Sequence, residues 1–257
     1  MAIDYEVSDG VAVITINRPE RLNAMDLEHY QGLSEAWRRV RDDAEVRVAI
    51  VTGAGERAFT AGADIKSFVS KPTEMSEMWL TQRDQLLNRG LEVWKPVIAA
   101  INGLAMGGGM TLMFATDIRV AAEHATFSLA EVKRGIIAGN GGTQRVMSQI
   151  PYALAMELTL TGDTIDAQTA WRWGLINKVV PKEGLMDAAL DYARRIAANA
   201  PLAVQAAKEL ALRSRDMDLN TGLRIEQLVQ RLLQTTQDAI EGPSAFAEKR
   251  PAQFRGQ

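Results

Sequence analysis

Three separated segments contain residues whose types and spacing suit proton transfer beside a carbonyl oxygen. Residues 58–68 (AFTAGADIKSF) and 102–111 (NGLAMGGGMT) each contain a run of small residues that can expose backbone N–H groups. Residues 127–144 (FSLAEVKRGIIAGNGGTQ) place one carboxylate, Glu131, in an apolar and glycine-rich stretch. Two backbone donors from separate loops, aimed at one oxygen, stabilise the negative charge that an acyl group develops in a transition state.

The glycine triplet at 107–109 precedes an apolar, helix-compatible segment at 110–115. This order predicts a helix N-terminus, where free N–H groups and the positive end of the helix dipole favour negative charge. For a triplet alone, close packing of two backbone segments is the alternative interpretation. The small-residue turn at 61–64 (AGAD) supplies a second candidate donor, and the two turns together favour an oxyanion site.

Glu131 is the candidate acid/base. It follows the strand-like residues 125–130 (ATFSLA) and precedes Gly135. Apolar surroundings raise the pKa of a carboxyl group toward neutrality, which suits proton transfer to carbon. The alternative is a solvated glutamate that pairs with Lys133 or Arg134.

The remaining pattern predicts the elements that position these segments. Strand-like runs lie at 11–17, 46–52, 97–101 and 118–121, and helix-like segments at 26–41, 74–94, 110–115, 151–160, 167–173 and 185–198. This alternation predicts an α/β fold with largely parallel, buried strands. Asp26 and Asp218 are the predicted N-caps of two helices. Because the chain is almost entirely helix-compatible from 201 to 240, we predict a core at 1–200 and a C-terminal helical lobe at 201–257.

Composition excludes several classes of function. A formal charge of -3 provides no basic field for a nucleic acid or an anionic membrane. The most apolar window, 93–115, is interrupted by Lys95, Pro96 and Asn102, so it predicts a buried element rather than a membrane span. The chain has no cysteine and its N-terminal residues lack the pattern of a secretory signal, so we expect a cytoplasmic protein.

Further motifs carry a resemblance to a known family. They are residues 17–19 (NRP), 22–25 (LNAM), 95–109 (KPVIAAINGLAMGGG) and 245–250 (AFAEKR), together with the three segments above. In this order the chain resembles the enoyl-CoA hydratase/isomerase (crotonase) superfamily nearly end to end. The resemblance implies a spiral of ββα units with a C-terminal helical trimerisation lobe. It also implies an acyl-CoA thioester as substrate and a homo-oligomer, either a trimer or a dimer of trimers.

The resemblance also assigns roles to residues. Ala63 and Gly108 match the positions that supply the two oxyanion-hole N–H groups, and Glu131 matches a glutamate that handles the proton at the reacting carbons. The positions that match CoA-binding residues of the family are Arg21, Leu22, Ala24, Ala61, Asp64, Ile65, Lys66 and, towards the CoA of an adjacent subunit, Phe246 and Lys249. No metal and no cofactor other than the CoA of the substrate is implied.

One position departs from the family pattern. Thr111 stands where a typical hydratase has a second glutamate, and it is included among the catalytic positions for that reason. A threonine hydroxyl can hydrogen-bond a water molecule but cannot take its proton at neutral pH. The sequence therefore predicts a hydratase-like enzyme with a single acid/base glutamate. An enoyl-CoA isomerase, a hydroxycinnamoyl-CoA hydratase-lyase and a non-catalytic acyl-CoA-binding protein remain the alternatives.

Overall fold

We describe residues 1–69 and 86–257 of the chain from a computed structural model. In this part of the chain the strands are β1 Ile3–Ser8, β2 Val11–Ile16, β3 Val48–Gly53, β4 Ala58–Thr60, β5 Val97–Ile101, β6 Leu104–Met106, β7 Ile118–Ala122, β8 Thr126–Ser128, β9 Ile165–Asp166 and β10 Lys178–Val180. The helices are α1 Leu27–Asp42, α2 Ile65–Val69, α3 Gly108–Phe114, α4 Gly142–Gln149, α5 Tyr152–Thr161, α6 Ala167–Arg172, α7 Leu185–Ala197, α8 Pro201–Arg213, α9 Leu219–Leu233 and α10 Gln237–Glu248.

Two sheets form the core. The larger has the order β1-β2-β3-β5-β7-β10, in which only the β1–β2 pair is antiparallel. The smaller has the order β4-β6-β8-β9, with parallel pairing from β4 to β8. The predicted α/β class with largely parallel strands is therefore confirmed. β3 and β5 are completely buried, as expected for parallel strands covered on both faces.

The connection between the sheets explains how distant segments meet. Each of the long strands β3, β5 and β7 leads, after a few residues, into a short strand of the second sheet: β4, β6 and β8 respectively. Because β4, β6 and β8 are neighbours and parallel, their carboxyl ends lie along one edge of the small sheet. The three segments that follow these strands are the three candidate segments identified above.

Helix α1 shows how the local sequence sets an element. Asp26 accepts a hydrogen bond from the backbone N–H of His29 (3.2 Å) and is the N-cap, as predicted. The buried face of the helix includes Leu33, Trp37 and Val40, which recur at the spacing of about one helical turn. This face packs α1 against the large sheet.

The predicted helix at 74–94 is wrong in its described part. Residues 74–85 lie outside the described residues, and between 86 and 94 only Leu87–Arg89 forms a 3-10 turn. Gly90 follows with φ +102°, which ends the turn because that conformation is incompatible with a continuing right-handed helix. The other predicted helices occur, with ends shifted by two residues or fewer.

The C-terminal segment is helical, as predicted. Asp218 caps α9 by accepting a hydrogen bond from the Thr221 N–H (3.0 Å). No residue of α9 is buried, although the helix carries leucines on its surface. The division between 1–200 and 201–257 stays a prediction. Within the described residues, no helix is long and apolar enough to cross a membrane.

Candidate active site

The two candidate donor turns are in direct contact. Gly62 (φ +84°) ends the turn after β4, and a Cβ atom placed on it would lie 2.6 Å from the backbone nitrogen of Gly108. A Cβ atom placed on Gly108 would lie 3.4 Å from the backbone nitrogen of Ala63. The absence of side chains at 62 and 108 thus allows the two nitrogens that the sequence predicts as donors to approach each other.

Both donors are free of other partners in the described part of the chain. Ala63 forms an isolated parallel bridge with Met25, but its own N–H has no acceptor among the described residues. Gly108 is the first residue of α3, where an N–H has no acceptor within the helix. Ala63 is exposed and Gly108 is half-buried, so an oxygen can reach both.

Glu131 lies against the second donor turn. It sits in the 3-10 turn Ala130–Arg134 that follows β8, and a Cβ atom on Gly107 would lie 3.2 Å from its Oε1 atom. Its Oε2 atom is buried and has no hydrogen-bond partner. Burial raises the pKa of Glu131, an effect only partly offset by a backbone hydrogen bond and by Arg134. The predicted direction of the pKa shift is confirmed.

The structure does not show Glu131 as a solvated glutamate paired with Lys133 or Arg134. Lys133 pairs instead with Asp163 (2.6 Å), and Arg134 donates to the Ala130 carbonyl oxygen (3.0 Å). No ion pair to Glu131 is present among the described residues. A carboxylate with a raised pKa and an unpaired oxygen beside two free N–H groups is suited to acid–base chemistry on a bound acyl group.

Thr111 lies one helical turn from the glycine triplet and is almost completely buried, with 1% of its surface exposed. Its hydroxyl donates to the Gly108 carbonyl oxygen (3.1 Å) and accepts from Nδ2 of Asn88 (3.2 Å). Its methyl group faces Gly142, where a Cβ atom would lie only 2.8 Å away. Thr111 therefore connects the second donor turn to the start of α4 and to the 3-10 turn that contains Asn88.

Sequence reasoning missed Asn88. It is buried, and its partner Thr111 is 23 residues away in the chain. A single asparagine in a polar stretch gives no local signal of such a contact. Only the neighbouring positions of the 3-10 turn and α3 in the fold reveal it.

A second missed group holds the first donor turn. Nη1 of Arg18 contacts Oδ2 of Asp64 (2.9 Å) and Oδ2 of Asp26 (3.3 Å), and it donates to the Ala24 carbonyl oxygen (3.2 Å). Burial acts to raise the pKa of Asp64, but the hydrogen bond and charge of Arg18 outweigh it and keep that pKa below its usual value. The Asp64 carboxylate is thus committed to Arg18.

The backbone continues this connection. Met25 N–H donates to the Gly62 carbonyl oxygen (2.7 Å), Asp64 N–H to that of Met25 (2.8 Å), and Ala61 N–H to that of Leu22 (2.9 Å). These backbone hydrogen bonds therefore bring together the segments 21–24 and 61–66, which contain predicted CoA-binding positions. In contrast, Phe246 and Lys249 lie at the end of α10, where Phe246 is 87% exposed.

Among the described residues, no group of His, Asp and Glu side chains could hold a metal ion. The two histidines have structural partners instead. His29 Nδ1 lies 2.7 Å from Asp26, and His124 Nε2 lies 3.0 Å from the Glu56 carbonyl oxygen.

Comparison with known proteins places this arrangement in a family. Residues 6–257 match the family described as enoyl-CoA hydratase/isomerase. An (E)-benzylidenesuccinyl-CoA hydratase from Thauera aromatica is 44% identical over 256 residues, covering 100% of both chains. A carnitinyl-CoA dehydratase from Salmonella arizonae is 40% identical over 247 residues, covering 95% of this chain and 94% of the relative.

Solved structures agree with this fold over the whole length. An enoyl-CoA hydratase from Bacillus anthracis has a TM-score of 0.94 at 38% identity and full coverage of both chains. One from Mycobacterium tuberculosis H37Rv has a TM-score of 0.93 at 38% identity, covering 100% of this chain and 99% of that one. The chain belongs to the enoyl-CoA hydratase/isomerase family and has its crotonase fold. It is an acyl-CoA-processing enzyme of the hydratase type.

Proposed function

We propose that the protein adds water to the double bond of a 2-enoyl-CoA thioester, or removes it in the reverse direction, with Glu131 as the only acid/base carboxylate. The observation that carries this proposal is the contact of the two donor turns beside Glu131. The N–H groups of Ala63 and Gly108 would bind the thioester oxygen. The names of the hydratase and dehydratase relatives support this type of reaction.

The reaction balances with one carboxylate. Glu131 accepts a proton from water as the water oxygen bonds to C3, and the electrons of the double bond move to the thioester oxygen. The two N–H groups stabilise the resulting enolate; a single donor of this kind contributes a factor of about 10² to 10³ in kcat. The enolate then collapses, and C2 takes the proton from Glu131. Thr111 is a positioning residue in this scheme, because its hydroxyl proton is donated to Gly108.

The CoA moiety of the substrate also has candidate binding residues. The paired loops at 21–24 and 61–66 would bind the CoA moiety beside Ala63, and Phe246 and Lys249 would reach the CoA of a neighbouring subunit. The exposed Phe246 and the exposed leucines of α9 support a homo-oligomer, a trimer or a dimer of trimers. Light scattering coupled to size-exclusion chromatography measures the mass, and a monomer at micromolar concentration would contradict this part.

The substitution Glu131→Gln tests the catalytic assignment. We expect kcat to fall about 10²- to 10⁴-fold, because the variant cannot accept the proton of water. Binding of a saturated acyl-CoA, measured by calorimetry, should change by less than about threefold. Glu123→Gln is a matched control at an exposed glutamate, and it should leave both quantities unchanged. Unchanged turnover of Glu131→Gln would refute the proposal.

Isomerisation is the second candidate, and the replacement of the second glutamate by Thr111 favours it. A single carboxylate can carry a proton between C2 and C4 without any water addition. Turnover in deuterated water, followed by mass spectrometry, separates the two reactions. A product heavier by one water indicates hydration, whereas deuterium at C2 or C4 without added water indicates isomerisation.

A further inference from the structure

Two arginine side chains meet at Asn140, in the loop that connects Glu131 to α4. Nε of Arg89 donates to Oδ1 of Asn140 (2.7 Å). Nη1 of Arg145 donates to the backbone carbonyl oxygens of Asn140 (3.0 Å) and Asn88 (3.0 Å). All of these acceptors are neutral. In the part of the chain that the structure describes, neither Arg89 nor Arg145 forms an ion pair.

This arginine pair, Arg89 and Arg145, lies next to Thr111. Asn88, whose carbonyl oxygen accepts from Arg145, donates through its side chain to the Thr111 hydroxyl (3.2 Å). Gly142, the first residue of α4, lies between Asn140 and Arg145 in the chain and packs against the Thr111 methyl group. The pair is therefore on the Thr111 side of the site.

The local charge favours an anion there. Burial lowers the pKa of Arg145, and the nearby positive charge of Arg215 lowers it further, so the cationic form lacks compensation. Thr111 replaces a carboxylate that would repel an anionic ligand. Both arginines are half-buried, and Arg89 also lies 5.7 Å from the centroid of the Tyr30 ring. Among the described residues, their guanidinium groups form no hydrogen bonds other than those to Asn88 and Asn140. A guanidinium fork with free N–H groups matches the geometry of a carboxylate.

We propose that the site takes an acyl-CoA whose acyl group carries its own carboxylate, and that Arg89 and Arg145 bind this carboxylate. This inference rests on the proposed function, since it names the class of acyl group for the same site. The thioester oxygen would lie at Ala63 and Gly108, and the free carboxylate would extend past Thr111 to the arginine pair.

Pairs of substrates that differ only in the distal group test the proposal. Glutaconyl-CoA and 2-pentenoyl-CoA have the same chain length, and the first carries a carboxylate where the second has a methyl group. 2-Hexenedioyl-CoA and 2-hexenoyl-CoA differ in the same way and are one carbon longer. We expect kcat/KM to be at least about tenfold higher for the carboxylate member of one pair, as for a charged hydrogen bond. Preference for the neutral member of both pairs would overturn the proposal.

The substitution Arg89→Gln identifies the residue responsible. We expect it to lower the ratio of kcat/KM for the preferred carboxylate substrate over its neutral partner by about ten- to a hundredfold. Arg172→Gln is the control, because Arg172 is exposed and bonds only Thr169 on α6 among the described residues; it should keep the wild-type ratio. A wild-type ratio in Arg89→Gln would overturn the assignment. If that variant does not fold, Arg145→Lys serves instead, because it keeps the charge and loses the fork.

A turnover-free measurement separates this inference from the proposed function. Glutaryl-CoA and pentanoyl-CoA are saturated and differ only in the distal group. Calorimetric titration should show at least about tenfold tighter binding of glutaryl-CoA to the wild-type protein, and loss of the difference in Arg89→Gln. Absence of hydration with this preference intact would overturn only the reaction. Equal affinity for both thioesters would overturn the carboxylate site.

Discussion

Replacing Gly62 by alanine tests whether the contact between the two donor turns controls catalysis. An alanine Cβ at this position would lie 2.6 Å from the Gly108 nitrogen and 2.9 Å from the Met106 carbonyl oxygen. Both atoms belong to backbone, so relief requires the turns to separate by several tenths of an ångström. In the proposed reaction, a displaced N–H would no longer reach the oxyanion. We therefore expect kcat to fall about 10²- to 10³-fold, as for the removal of one donor.

Gly174 provides a matched control for the backbone conformation. Its φ of +76° is close to the +84° of Gly62, but a Cβ atom on Gly174 would meet nothing within 4 Å. The left-handed conformation costs about 1–2 kcal/mol for an alanine at either position. At Gly62 the collision should add about 1–3 kcal/mol to the loss of unfolding free energy. Only Gly62→Ala should lower kcat.

The assay combines urea denaturation with initial rates at saturating thioester concentration. Denaturation gives the unfolding free energy of each variant, and the rates are compared between variants that are folded under the assay conditions. The reasoning is refuted if folded Gly62→Ala keeps a kcat within threefold of that of Gly174→Ala. Such a result would mean that the contact between the turns is a packing feature without a catalytic consequence.

Three further substitutions test other parts of the site. Asp64→Asn removes the charge that pairs with Arg18, and we expect kcat/KM to fall about tenfold because the Ala63 turn loses this ion pair. Asp163→Asn, at an exposed ion pair, is the control and should have no effect. Equal kcat/KM for the two variants would contradict the role of Asp64 in positioning the Ala63 turn. Burial raises the pKa of Glu131. Between about pH 4.3 and that raised pKa, the native protein therefore binds more protons than the unfolded chain. The unfolding free energy consequently falls as pH rises through this interval. Glu131→Gln should therefore raise the melting temperature at neutral pH, and the gain should vanish below about pH 4; an equal gain at every pH would show another cause. Thr111→Glu should increase hydration of crotonyl-CoA about tenfold by supplying a second carboxylate, and an unchanged rate would show that the site does not position a water there.

The sequence predicted the three segments of the site because each has a local signal. Small residues at 61–64 and 107–109 mark turns, and Glu131 is the carboxylate in an otherwise apolar run. The residues alone indicated that the two turns could share one oxygen, and the family resemblance added Glu131 to the same site. The structure gives the physical reason: β4, β6 and β8 are adjacent parallel strands, so the residues that follow them share one edge.

The supporting contacts could not be predicted in the same way. Arg18 and Asp64 are 46 residues apart, and Arg89 and Asn140 are 51 residues apart. Each is a polar residue that, in sequence alone, fits a solvated surface equally well. These residues become partners only because the fold brings distant parts of the chain together. Neither composition nor hydrophobic periodicity indicates such a pairing.

In the proposed reaction, Thr111 has a different role from a second glutamate and does not merely lower the activity. A hydroxyl has one proton, and here that proton is donated to the Gly108 carbonyl oxygen, while one lone pair accepts from Asn88. The remaining lone pair can only accept. A water that donates one hydrogen to this lone pair and the other to Glu131 would turn its own lone pair toward C3. Thr111 would thus orient the water, while Glu131 alone takes its proton. Because Thr111 is neutral, the negative charge of a second glutamate is absent on the side of the site where Arg89 and Arg145 lie. Threonine at position 111 would therefore be compatible both with the proposed hydration by one carboxylate and with the proposed acyl group that carries another.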